Sequence, residues 1–243
     1  MSIPQGTASP HVHLRLRGAL VGHRRDAPLF PPFDFELCAG EWLLVAGPNG
    51  SGKSSFVLSL MGALPLVGGV REVGTPGLRF GYVPQRPSLD PIWPLSTLDV
   101  VRMGGAPWHR PFRRDASLTH RSLELLDEVG LGGLADRPFR ALSGGQKQRA
   151  LIARALVGGA EVLVLDEPAN HLDPIGERAL LDTLAALHAK HRPSIVWISH
   201  RLDGLLHRAD RIAFLDPSGV RVGPPDRLRT EGVLDAFLGE GAA

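Results

Sequence analysis

Cysteine is all but missing from this 243-residue chain. Cys38 stands alone, so no disulfide can close within the chain and no thiolate zinc site can be built from it. Long apolar runs are missing as well. None approaches the roughly 18 residues that cross a bilayer, so direct membrane insertion is not expected. Met1 to Pro10 has neither a basic start nor an apolar stretch; no signal peptide is expected there, and those ten residues read as disordered. Neither charge is in excess: 27 Lys and Arg face 25 Asp and Glu, a net of +2, which gives no ground for a nucleic-acid partner. The basic cluster His109 to Arg114 reads as a solvated loop. Tyrosine occurs once, as Tyr82. There is no internal repeat, low-complexity tract or sustained heptad.

What is present suits a globular fold. Hydrophobic residues make up 43% and charged residues 21%, and the length fits one lobed domain over about 11–240. Val12, Leu14 and Leu16 alternate within His11 to Arg17, and Phe33 to Leu37 alternates again. These two stretches predict a small antiparallel β region. Trp42 to Ala46, Phe80 to Val83, Val162 to Leu165, Ser194 to Ile198 and Arg211 to Leu215 are short apolar runs, as strands buried on both faces are. Helical patterns fall between them, at Ser54 to Leu64, from Ser143 to about Val157 and at Ile175 to Lys190. Strands alternating with helices predict an α/β fold with a mainly parallel sheet. From about 87 to 140 the spacing turns helical, with Leu123, Leu125, Leu126 and Val129 on one buried face; this segment is expected to form a separate helical lobe.

Two motifs carry chemistry on their own. Gly47-Pro48-Asn49-Gly50-Ser51-Gly52-Lys53-Ser54 fits G-x-x-x-x-G-K-[ST], between a buried strand and a helix, with Ser55 next in line. Such a loop curls its N–H groups inward around phosphate oxygens and adds the helix dipole. Lys53 is expected to reach the β- and γ-phosphates, and Ser54 to hold Mg²⁺. The second is the strand Val162 to Leu165 ending in Asp166 and Glu167. Asp166 is expected to hold Mg²⁺ through water, and Glu167 to act as general base toward the attacking water. Together they define a P-loop NTPase with a RecA-like core. A glycine-rich turn alone, or an acidic pair at a loop start alone, is ordinary; the two in this order are not.

Leu142-Ser143-Gly144-Gly145-Gln146 then opens a helix. Ser143 by itself reads as an N-cap, but the whole pentapeptide resembles the signature of the ABC ATPase family. The resemblance runs along nearly the whole chain. It implies that Gln85 touches Mg²⁺ and the lytic water, that His200 contacts the γ-phosphate, and that Asn170-His171-Leu172-Asp173 crosses to a partner. It implies two cassettes packed head to tail around ATP. Lys53, Glu167 and His200 of one would face Ser143, Gly144, Gly145 and Gln146 of the other, and Asp173 would sit at the junction. The implied partners are a membrane subunit of a transporter and a second cassette, at the cytoplasmic face of the plasma (inner) membrane.

One position departs from the family. Where an aromatic residue is usual for stacking on adenine, the chain reads Leu20-Val21-Gly22-His23-Arg24-Arg25; Val21 aligns best and His23 is the possible substitute. Trp93, Trp108 and Phe112 are expected in the helical lobe, packed in its core or against the transporter. From Tyr82 to Gly104 the text is similar to cassettes of zinc, manganese and iron importers, which points to divalent metal cargo. The Asn170 to Asp173 run is also similar to ABC proteins acting on ribosomes, so a non-transport ATPase acting on ribosomes or DNA is the alternative. Those ribosomal proteins carry two cassettes, whereas this chain has one phosphate loop and one signature. His11 and His13 alternate in a strand, and two ligands do not make a metal site.

Overall fold

Five stretches of four to six residues, apolar enough to be buried on both faces, become the centre of the molecule. The computed structural model describes residues 11–85, 93–106, 115–170, 172–202 and 204–234. The expectations for residues 1–10, Arg86 to Ile92, Trp108, His109 to Arg114, Phe112 and His171 lie outside the described residues.

In chain order the elements are β1 (Val12–Leu20), β2 (Phe33–Cys38), β3 (Trp42–Ala46), α1 (Lys53–Met61), β4 (Gly68–Val73), β5 (Phe80–Val83), α2 (Thr97–Arg102), α3 (Ala116–Glu128), α4 (Gly144–Val157), β6 (Val162–Asp166), α5 (Pro174–His191), β7 (Ser194–Ile198), β8 (Arg211–Asp216), β9 (Gly219–Gly223) and α6 (Pro225–Thr230). A six-stranded sheet runs β5-β6-β7-β3-β8-β9, parallel throughout except for the final β8–β9 pair. One core under it joins Trp42, Leu165 and Trp197 to Val100, Leu126 and Ile152 of the helices. The other face packs Leu43, Val45, Val164 and Phe56 against the antiparallel sheet β2-β1-β4 through Leu14, Leu16 and Phe35. The parallel sheet and the antiparallel region are thus as expected. No helix among the described residues is long and apolar enough to cross a membrane.

The differences have local causes. Helix α1 stops at Met61 rather than Leu64 because Gly62 takes a left-handed conformation, φ 77°, and its N–H caps the carbonyls of Leu58 and Ser59. Strands β4 and β9 were not expected. Gly68-Gly69 and Gly219 break the alternation that marks a strand, and β4 is recruited by pairing with β1 from far along the chain (Arg15 with Glu72). Leu123 is 37% exposed. The buried line of α3 is Ser122, Leu125 and Leu126, continuing to Val129, and a residue one step off that line rotates toward solvent. Trp93, expected in the lobe core or at the transporter, is 60% exposed, so it does not pack in a core. Ala155 of α4 is part-buried, while Ile152 and Ala153 complete the stripe of Ala150, Leu151 and Leu156.

Candidate nucleotide site

The sheet order decides where the chemistry lies. The neighbours β5, β6, β7 and β3 are parallel, so their carboxyl ends share one edge. From that edge come Gln85 after β5, Asp166 and Glu167 at β6, His200 after β7 and the Gly47 to Ser54 loop after β3. Ligands of open α/β sheets bind at this edge. A cleft of about 340 Å³ opens there, lined by Asn49, Lys53, Ser54, Gln85, Asp166 and Glu167, with Gly50, Gly52 and Ser55 around them.

The loop needs glycine at two points. Gly47 sits at φ 145°, and a Cβ there would overlap the Leu215 carbonyl. Gly52 sits at φ 88°, and a Cβ would meet the Phe30 ring at 2.8 Å. The backbone can therefore curl only without side chains. Lys53 folds into the curl it starts from: its Nζ donates to the carbonyls of Gly47 and Pro48, both at 2.8 Å. Burial pushes the Lys53 ammonium down from its ordinary pKa, with Glu167 and Asp166 opposing. Ser51 Oγ is buried with no hydrogen-bond partner among the described residues.

Glu167 is the hub. Its Oε2 accepts from Gln85 Nε2 at 2.7 Å and, very closely, from Asn170 Nδ2. Its Oε1 lies 3.0 Å from His200 Nδ1. Its φ is 47°, one of two non-glycine residues in the left-handed region among those described. The backbone holds that turn through Glu167 N to Ile198 O at 3.0 Å and Asn170 N to Glu167 O at 3.2 Å. A backbone held in so sparse a region is over-determined by its surroundings, here by these contacts. Burial raises the Asp166 carboxyl's pKa, opposed by a 3.0 Å hydrogen bond from Tyr82 Oη. Burial and that same carboxylate push the Tyr82 phenol up to about 12.

The structure thus gathers Gly47 to Ser55, Gln85, Asp166, Glu167 and His200 at one edge. The signature residues stand elsewhere. None of Ser143, Gly144, Gly145 and Gln146 lines the cleft. Ser143 caps α4 in a reciprocal box: Gln146 N donates to its Oγ at 3.3 Å, and Ser143 N donates to Gln146 Oε1 at 2.9 Å. Leu172 lies against Gly144 and Gly145. Asp173 caps α5, accepting from Gly176 N at 2.7 Å.

Val21 cannot touch a base at all: it is 0% exposed. The exposed His23 and Leu29 line the cleft instead. Sequence reasoning left Tyr82 and Asn170 without roles at Asp166 and Glu167. The parallel register that sets Tyr82 beside Val164 was the signal for the first; nothing local announces the second.

Fold and site together define a P-loop nucleotide hydrolase of the ATP-binding cassette class. The comparisons narrow this further. The ABC transporter family profile matches residues 30–170. The chain is 36% identical to the zinc import ATP-binding protein ZnuC of Paracoccus denitrificans over 91% of its own length and 83% of that protein's. It is 36% identical to the zinc transport system ATP-binding protein TroB of Treponema pallidum, over 88% and 83% of the two chains. It is 35% identical to the hemin import ATP-binding protein HmuV of Streptomyces coelicolor, over 96% and 85%. In structure it resembles an inward-facing transporter assigned to the metal-chelate type: TM-score 0.80, 28% identity, over 92% of this chain and 88% of that one. The chain belongs to the ABC transporter family as an ATP-binding subunit, and it is an ATPase.

Proposed function

We propose that this cassette powers a metal-importing transporter, hydrolysing ATP at the edge built by Lys53, Gln85, Asp166, Glu167 and His200. The observation that carries the reading is the meeting of the ends of β5, β6 and β7 at Glu167, on the cleft that the phosphate loop also lines, in a chain about a third identical to zinc and hemin import subunits. Those relatives favour transport over action on ribosomes or DNA, and they favour metal cargo.

The geometry supports a role for each. The loop Gly47 to Ser55 cradles the phosphates with backbone N–H groups. Lys53 exchanges the carbonyls of Gly47 and Pro48 for phosphate oxygens. Glu167 takes the proton of the attacking water, and His200 orients Glu167 and meets the γ-phosphate. A Mg²⁺ ion fits the donors present: Ser54 hydroxyl, Asp166 carboxylate and Gln85 all line one cleft. Gln85 commits its amide nitrogen to Glu167 and keeps its oxygen for a hard cation. Bound there, the ion would neutralise phosphate charge.

The same reading assigns Ser143, Gly144, Gly145 and Gln146 to the nucleotide of a second cassette. Their absence from the cleft of their own chain, and their place at the N-terminus of the 14-residue α4, support that assignment. Asp173 and its neighbours then lie where the two copies meet. The cassette sits peripherally at the cytoplasmic face of the membrane, docked on a multi-span subunit. A pull-down of the tagged cassette from detergent-solubilised membranes, read by mass spectrometry, tests this. A multi-span protein as main partner supports it. Ribosomes or DNA with no membrane partner overturn the transport reading and leave the ATPase standing.

A further inference from the structure

Trp197 is fully buried in the centre of β7 and stacks on Trp42, the ring centroids 6.4 Å apart and the planes 20° from parallel. Its indole Nε1–H is buried with no acceptor among the described residues. A buried donor without a partner is costly, and native interiors supply one, often as water. Trp197 also lines a small pocket of about 20 Å³, together with Glu167, Asn170, Glu177, Ser199 and Arg201 among others. One water needs about 10–15 Å³ of such space. The pocket therefore has room for one water.

Ser199 Oγ is engaged, donating to the Arg201 carbonyl at 2.6 Å and accepting from Arg201 N at 2.9 Å. Asn170 commits its amide nitrogen to Glu167, which leaves its carbonyl oxygen as an acceptor. Glu167, on the wall shared by this cavity and the nucleotide cleft, has two partners on Oε2 and one on Oε1, which leaves a lone pair on Oε1.

We infer that the space behind Glu167 is a site for one ordered water, which accepts from the Trp197 indole and donates to the Glu167–Asn170 pair. Trp197 is then a positioning residue: through the water it ties the base to a rigid central strand. This anchor is independent of Gln85 and His200, which also serve the nucleotide. The inference rests on the reading of Glu167 as the base.

Two measurements test it. A high-resolution crystal structure of the wild-type chain is expected to show a water within hydrogen-bond distance of Trp197 Nε1 and of Glu167 or Asn170. A dry cavity, or an indole bonded to a protein acceptor, overturns the proposal. In steady-state kinetics, Trp197→Phe keeps the ring and removes the donor. It is expected to lower kcat about tenfold, as displaced catalytic groups do, with KM for ATP held within about twofold. An unchanged kcat overturns the proposal. The comparison is Trp42→Phe, which trims the same stack but does not line the cavity; it is expected to keep kcat, and an equal loss there would assign the effect to ring packing and overturn the proposal. Failure of the underlying reading shows separately, as wild-type turnover by Glu167→Gln.

Discussion

Gln85 Nε2 donates to Glu167 Oε2 at 2.7 Å, joining the ends of β5 and β6 across the nucleotide cleft. With Asn170 on the same oxygen and His200 at 3.0 Å from the other, the carboxylate is held from three elements before any nucleotide arrives. A base so oriented is already aimed, and its removal should be felt in chemistry rather than in binding.

Glu167→Gln keeps the size of the side chain and removes the base. Hydrolysis is expected to fall by about 10²–10⁴-fold, the usual contribution of general base catalysis. ATP binding is expected to persist and to hold two chains together. Phosphate release and size-exclusion chromatography with ATP check the two halves; normal turnover would refute the assignment.

Lys53→Ala should act on binding itself. The two carbonyl contacts at 2.8 Å show a cation already seated in the phosphate loop. Losing a charged hydrogen bond of about 1.5–3 kcal/mol corresponds to roughly ten- to a hundredfold weaker ATP affinity. Titration with a fluorescent ATP analogue reads this directly, and wild-type affinity in the variant would remove Lys53 from the site.

Tyr82 is the single tyrosine of the chain, so its titration can be followed without interference. In magnesium-free buffer its phenol is expected to ionise near pH 12, because of burial and the Asp166 carboxylate. In the unfolded chain the value returns to about 10. The folded phenol then keeps its proton where the unfolded one has lost it. Its contribution to stability is full below pH 10 and is lost as pH rises toward 12. Asp166→Asn should bring the folded value down. An ultraviolet titration showing ordinary ionisation in the folded protein would contradict the contact.

Base selectivity should be loose. Val21 is buried and stacks on nothing in the cleft, leaving His23 and Leu29 at its rim. An aromatic stack is worth about 1–3 kcal/mol per base. Comparable dissociation constants for ATP and GTP are therefore expected, as is a gain in ATP affinity on His23→Tyr. A strong preference for ATP in the wild type would sink this.

Much was legible before the fold was known, because each motif carries its own local physics. The phosphate loop needs glycine at left-handed turns, and Gly47 and Gly52 occupy such turns. The central strands were readable because burial on both faces demands unbroken apolar runs, and all five appear within a residue of their expected limits. Strand β4 was not readable, since Gly68-Gly69 hide it and its partner β1 lies far away in sequence.

Sequence alone determined the class of chemistry here: a phosphate loop and an acidic strand end in that order, short contiguous stretches whose combination states the chemistry, and a signature helix whose resemblance names the family. Only the tertiary structure decided who touches whom. The order β5-β6-β7-β3 brings Gln85, Glu167, His200 and Lys53 to one edge. Parallel register sets Tyr82 on Asp166, and packing buries Val21 away from the cleft and leaves Trp197's indole N–H buried without an acceptor among the described residues. These are contacts between residues distant along the chain, and no local pattern of residues encodes them.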